Sequence, residues 1–167
     1  MAALNLLGLA TALGGVVYAS YSGAVSLTDS TVTDCYAFRG GVVFASFSGA
    51  VSLTGSTVSD CSAGSQGNGG VVSAENSGAV SLIGSTVTGC SAGYYGGVVH
   101  SSGIGAVSLI DSTVRDCSAG STGGVVSASG SGAVSLVGSS VTRCSAGSVR
   151  RVELAASNSA ARQRVER

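Results

Sequence analysis

Gly14 to Cys35 reads GGVVYASYSGAVSLTDSTVTDC, and this stretch returns four more times, with its Gly-Gly opening at Gly40, Gly69, Gly96 and Gly123. In every copy the cysteine follows the first glycine by the same interval, so Cys35, Cys61, Cys90, Cys117 and Cys144 hold one structural position. Only the connectors after each cysteine vary in length: YAFR, SAGSQGN, SAGYY and SAGST. A unit repeated with length variation confined to one place is the sequence pattern of a solenoid, each copy forming one coil. The chain therefore divides into an N-terminal segment over 1–13, five coils over 14–149, and a C-terminal segment over 150–167.

Within a coil the apolar residues alternate with period two in short runs, which predicts strands and not helices. In the first coil Val17 and Ala19 alternate with Val16, Tyr18 and Ser20; Val25 and Leu27 alternate with Ser26 and Thr28; Val32 lies between Thr31 and Thr33. Three strands per coil follow, separated near Gly23 and near Ser30. A packed interior tolerates little change in volume, so the positions that stay constant from copy to copy face inward. These are the Val17, Val25, Leu27 and Val32 columns and the cysteines. The Tyr18 position becomes Phe44, Ser73, His100 and Ser127, which assigns it outward. The expected fold is all-β: a parallel β-helix of about five three-stranded coils, with each strand in register on its copy, ~4.8 Å away.

Composition agrees with an ordered chain. Gly, Ser and Ala dominate and Pro, Trp and Lys are absent, yet the apolar residues recur at fixed positions, which a flexible linker does not need. No run approaches the ~20 apolar residues of a membrane helix, so the chain is not expected to cross a membrane that way. Before residue 148, six acids oppose three arginines for a net charge of −3; after it, Arg150, Arg151, Arg162, Arg164 and Arg167 oppose Glu153 and Glu166 for +3. The basic end reads as a solvated tail and not as a nucleic-acid contact. At the other end MAALNLLGLATAL has two readings. One is a cleaved signal, although no basic residue precedes its apolar run. The other is a degenerate capping half-coil, in which Leu6 and Leu9 take the places of the inward Val and Cys.

The repeated Gly-Gly-aliphatic start, GGVV as at Gly40 to Val43, alternates five times with Val-x-x-Cys, as at Val58 to Cys61. This resembles the polymorphic outer membrane protein repeats and related right-handed, pectin-lyase-like parallel β-helix passenger domains, which carry GGA followed by an aliphatic residue and Phe-x-x-Asn. The resemblance covers about Gly14 to Gly147, with Cys standing where the family has Asn. It implies a right-handed coil, an extracellular or cell-surface location, and a non-catalytic adhesive or structural role with glycans or other surface proteins as partners.

Four sets of residues bear on chemistry. The cysteines lack the close Cys-x-x-Cys pairs of a metal site and read as an inward ladder of free thiols, so no metal or other cofactor is expected. Thr31, Thr33, Thr57, Ser59, Thr86, Thr88 and Thr113 form an outward ladder resembling the ice-binding faces of some antifreeze proteins, interrupted at Arg115. Thr is also simply a good exposed strand residue. Tyr18, Tyr21, Phe44 and Phe47 gather on the first two coils, where they would stack on sugar rings or lie beneath a cap or partner chain. For catalysis the inventory is thin: His100 is the only histidine, and Cys117 is assigned inward while His100 is assigned outward, so no catalytic residue is assigned. Asp34, Asp60 and Asp116 share one turn position with Gly89 and Arg143, which suggests an Asp116–Arg143 pair across coils.

At the C-terminus the repeat spacing places Arg150-Arg151-Val152 where Gly-Gly-Val should stand and Glu153 at an inward position. Leu154, Ala161 and Val165 lie at helical spacing, which predicts a capping helix over about 152–165, with a disordered tail as the rival. Without such a cap the tubes would associate end to end.

Overall fold

The computed structural model describes residues 5–7, 10–11, 13–103, 105–130, 132–147 and 154–157. They form an all-β parallel solenoid of about five turns with four strands per turn. In the first complete coil the strands are Val17–Ser20, Val25–Thr28, Thr31–Thr33 and Tyr36–Ala37. Each stacks in register on its copy in the next coil, as Val17 on Val43, Val25 on Val51, Thr31 on Thr57 and Tyr36 on Ser62. Four parallel faces result, numbered here one to four in that order.

The fourth face corrects the expectation of three strands. Its members are two residues long, Ser62–Ala63 and Ser91–Ala92 among them, with the alanine buried and the serine half-buried. A two-residue strand shows a single inward–outward step, too short to read as alternation. A second correction concerns the Val16 column, expected to face outward. Val42, Val71, Val98 and Val125 are fully buried in the core beside Val43, Val72, Val99 and Val126. At this corner one carbonyl accepts two consecutive amides: Val42 N–H and Val43 N–H both donate to the Val71 oxygen, at 3.0 and 2.9 Å. Alternation is broken as in a β-bulge, and two neighbouring valines turn in together.

The remaining core is the Val51, Leu53 and Val58 columns with the cysteines and the small Ala45 column. Burying each Val or Leu contributes roughly 1.5–3 kcal/mol, which has to offset the ordering of a glycine-rich backbone. The Gly-Gly pair is required by space. A Cβ on Gly69, which has φ of 68°, would run into the Val72 carbonyl, and one on Gly70 would meet the Gly97 carbonyl of the next coil.

At the other three corners a residue of positive φ is followed, in most coils, by a serine or a cysteine. Between faces two and three, Asp29, Gly55, Gly84, Asp111 and Gly138 have φ between 47° and 59°. Ser30, Ser56, Ser85, Ser112 and Ser139 follow them. Ser56 N–H donates to Ser85 Oγ at 3.2 Å, and Ser85 N–H to Ser112 Oγ at 3.2 Å, so a buried serine ladder runs along the tube. Between faces one and two, Ser48 N–H donates to Ser77 Oγ at 3.2 Å in the same way. Between faces three and four the cysteines take this role, with Cys35 N–H pointing to Cys61 Sγ at 3.4 Å. The inward ladders of this tube are thus made by hydroxyls and thiols. Each supplies an acceptor to an amide that the bend would leave unpaired.

At the two ends the described residues continue the stack. Asn5–Leu7 pairs with Thr31–Thr33, setting Leu6 beside Val32, and Ala10–Thr11 pairs with Tyr36–Ala37. At the far end Leu154–Ser157 is a strand on face one, not the start of a helix, and Leu154, not Glu153, stands opposite Val126. The unpaired edge of Val126–Ser129 supplies hydrogen-bond partners that an isolated reading of LAAS lacks. The rest of the segment expected to be helical lies outside the described residues.

Candidate functional site

The αL position between faces one and two is occupied in later coils by Asn76, Gly103 and Gly130, residues suited to positive φ. In the first two coils it carries Tyr21 and Phe47, at φ of 49° and 48°. A bulky residue there is a backbone outlier with a cost of order 1 kcal/mol. The two rings stack 5.1 Å apart, 3° from parallel, and Tyr21 is 80% exposed. Tyr18 and Phe44 stack at 5.7 Å on the adjoining face; Tyr18 is exposed, but Phe44 is buried. Tyr36 and Phe38 add exposed rings on the same coils.

Face three carries the hydroxyl ladder in two columns. Thr31, Thr57, Thr86, Thr113 and Ser140 stand in one, and Thr33, Ser59, Thr88, Arg115 and Thr142 in the other. Thr31, Thr57 and Thr113 are exposed, whereas Thr33, Ser59, Thr86 and Thr88 are half-buried. Arg115 lies along the surface and donates from Nε to Thr88 Oγ1 at 3.2 Å.

All five cysteines are buried. All five point back to a carbonyl two residues earlier, Cys61 Sγ to Ser59 O at 3.2 Å and Cys117 Sγ to Arg115 O at 3.2 Å among them. They also hydrogen-bond from coil to coil. Their neighbours' sulfurs, and then burial, push Cys90 and Cys144 well above the ordinary thiol range. Cys61 and Cys117 are held down by hydrogen bonds from the adjacent thiols. Among the described residues no three His, Cys, Asp or Glu side chains converge as a metal site.

The Tyr18 column lies on the outer side of face one, as assigned, but only Tyr18 itself is exposed. Phe44, Ser73, His100 and Ser127 point away from the tube yet are 5%, 0%, 6% and 7% exposed. In the coils of Phe44 and His100 the cover includes the last residue of the connector. Arg39 lies over the Phe44 ring, 5.9 Å from its centroid, and Tyr95 stacks on His100 at 5.7 Å. Asn68 holds the next connector by accepting from Tyr95 N–H at 3.3 Å. Arg39 then reaches across the coil boundary to Glu75, Nη1 to Oε1 at 2.7 Å. Beneath this cover, Ser73 Oγ and His100 Nδ1, register partners on adjacent strands, have no hydrogen-bond partner.

Magnitudes make this cluster distinctive. A half-exposed ion pair such as Arg39–Glu75 holds its cover closed by about 0–1 kcal/mol, while each orphaned buried polar group costs about 1–3 kcal/mol. Burial, and then the Arg39 charge, lower the His100 pKa to about 4, so the ring is neutral at pH 7. The sequence carried one signal of this arrangement: in both Arg39–Phe44 and Tyr95–His100 the covering residue precedes the covered one by the same short interval.

At the thiol corner Asp34, Asp60, Asp116 and Arg143 all occupy the left-handed region, with Gly89 between them. Arg143 donates from Nε and Nη2 to the two Asp116 oxygens at 2.6 and 2.7 Å, and this holds the Asp116 carboxyl below its usual range. Cys117 lies in the core and His100 on the outer side of face one, so the fold does not bring them together as nucleophile and base. Among the described residues no helix is long and apolar enough to cross a membrane. Compared with protein-family models, curated proteins and solved structures, the chain matches none.

Proposed function

We propose that this solenoid is a non-catalytic adhesive module of the cell surface or extracellular space, binding glycans or surface proteins through the aromatic corner of its first two coils. One observation carries the reading. Tyr21 and Phe47 are held exposed and stacked in a backbone conformation that the later coils fill at this corner with Asn or Gly. Strain retained at an exposed aromatic pair fits a contact surface, since the ring stack, about 0.5–1.5 kcal/mol, does not outweigh the strain of two bulky left-handed residues. The repeat resemblance to polymorphic outer membrane proteins supports the location, and the handedness of parallel crossovers supports a right-handed coil. A screen of the purified chain against glycans and extracellular-matrix proteins tests this. Binding that is lost in the Tyr21→Asn, Phe47→Asn double variant supports the proposal, whereas binding unchanged in that variant removes it.

A second reading, ice binding, draws on the two in-register hydroxyl columns of face three. Recrystallisation inhibition abolished by Thr86→Tyr would favour it over the aromatic corner.

A further inference from the structure

We propose that the outer side of face one binds a small organic carboxylate between the Arg39 guanidinium and the Ser73–His100 pair. The unmet groups there can donate: a hydroxyl donates as well as accepts, and a neutral imidazole nitrogen donates in one of its two tautomers. Ser73 has a hydroxyl, His100 has a ring nitrogen, and both are buried without a partner. Among the described residues the Arg39 guanidinium donates only from Nη1, to Glu75. Glu75, the one carboxylate at hand, is already engaged. A ligand that completes this set brings acceptors, and an oxyanion brings most of them in the least volume.

The walls choose among oxyanions. Tyr95 lies nearly parallel to His100 on one side, and the Phe44 ring lies under Arg39 on the other. Flat surfaces flanking a guanidinium edge suit a planar carboxylate on a ring-shaped body better than a tetrahedral phosphate. The rim is open to solvent, with the Arg39 and Glu75 side chains 38% and 24% exposed. This inference stands on residues separate from the aromatic corner, and either can fail without the other.

His100 is the only histidine, so its ring signals in an NMR spectrum are unambiguous. The full chain is titrated at pH 7 with sodium benzoate, and in parallel with sodium phosphate and a neutral methyl glycoside. The expected result is a saturable shift of the His100 ring signals with benzoate, together with a rise of the ring's pKa from about 4, because a bound anion favours the imidazolium. Arg39→Gln should weaken benzoate at least about ten-fold, and Ser73→Ala should weaken it less, with both variants keeping the circular dichroism of the parent. Ring signals unmoved by benzoate, or equal affinity in Arg39→Gln, would overturn the proposal. So would phosphate or the glycoside binding as tightly as benzoate. If Arg39→Gln fails to fold, the wild-type pKa shift and the Ser73→Ala titration decide the matter.

Discussion

Two corners of the same coil are built alike and filled differently. Between faces two and three, every coil places Asp or Gly in the left-handed position and a serine after it, and each buried hydroxyl from Ser56 to Ser112 both accepts and donates. Between faces one and two, the first two coils put Tyr and Phe in that position, and on adjoining face one Ser73 and His100 are left unpaired. The first corner meets every demand of the fold with the cheapest residues. The second meets the same demand while retaining strain, beside unsatisfied groups on the adjoining face, a departure from local consistency of the kind expected where a fold serves more than its own architecture.

The largest expected effect sharpens this contrast by pH. His100 has its pKa lowered from 6.5 to about 4, by burial and by Arg39, and Tyr95 is the other titratable group against its ring. The unfolded chain therefore binds the extra proton first. The neutral ring's full contribution is present above about pH 6.5 and is lost as pH falls toward 4, amounting to about 3 kcal/mol. Urea unfolding at pH 7 and pH 4 for the parent and His100→Gln should differ by that amount in the parent alone, after subtraction of the carboxylate titration common to both. A parent no more acid-sensitive than the variant would mean that the ring is not buried as described.

A smaller effect is expected at the well-satisfied corner. Ser85 Oγ accepts from Ser56 N–H and lies 3.1 Å from Ile83 O and 3.2 Å from Leu53 O. Ser85→Ala strands the Ser56 amide in the core and should cost about 1–3 kcal/mol in denaturant unfolding. Ser52→Ala, on the outer side of face two where Ser26 is its neighbour at 3.3 Å, should stay within about 0.5 kcal/mol. Equal losses at the two sites would mean that the serine ladder has no special place in holding the coils.

Much of this was legible in the sequence, for identifiable reasons. The coil count and the Val43, Leu53 and Val58 columns could be read because period-two alternation over three or four residues leaves a pattern. The fourth face could not, because Ser62–Ala63 and its copies are too short to alternate. The left-handed corners were hidden by their variety, since Tyr21, Asp34, Gly89 and Arg143 share a conformation but no chemistry. The Arg39–Glu75–Ser73–His100 cluster was hidden because Arg39 and Glu75 are brought together by the register of neighbouring coils and lie far apart along the chain. The strand at Leu154–Ser157 was misread as helix because spacing within the segment says nothing of the open edge waiting beside it.

The smallest effect tests the aromatic corner most directly, because stability and binding should move in opposite directions. Asn76 shows which residue this corner accepts without strain, at φ of 49°. Replacing Tyr21 and Phe47 with Asn relieves two left-handed bulky residues, of order 1 kcal/mol each, and gives up one exposed ring stack of about 0.5–1.5 kcal/mol. The balance is a gain of about 1 kcal/mol or less, visible as a midpoint shifted upward in urea with an unchanged slope. If the corner were structural, the stacked pair would be part of what holds coils one and two together, and the double variant would be less stable. A more stable chain that no longer binds its partner is the outcome expected of a surface kept strained for contact.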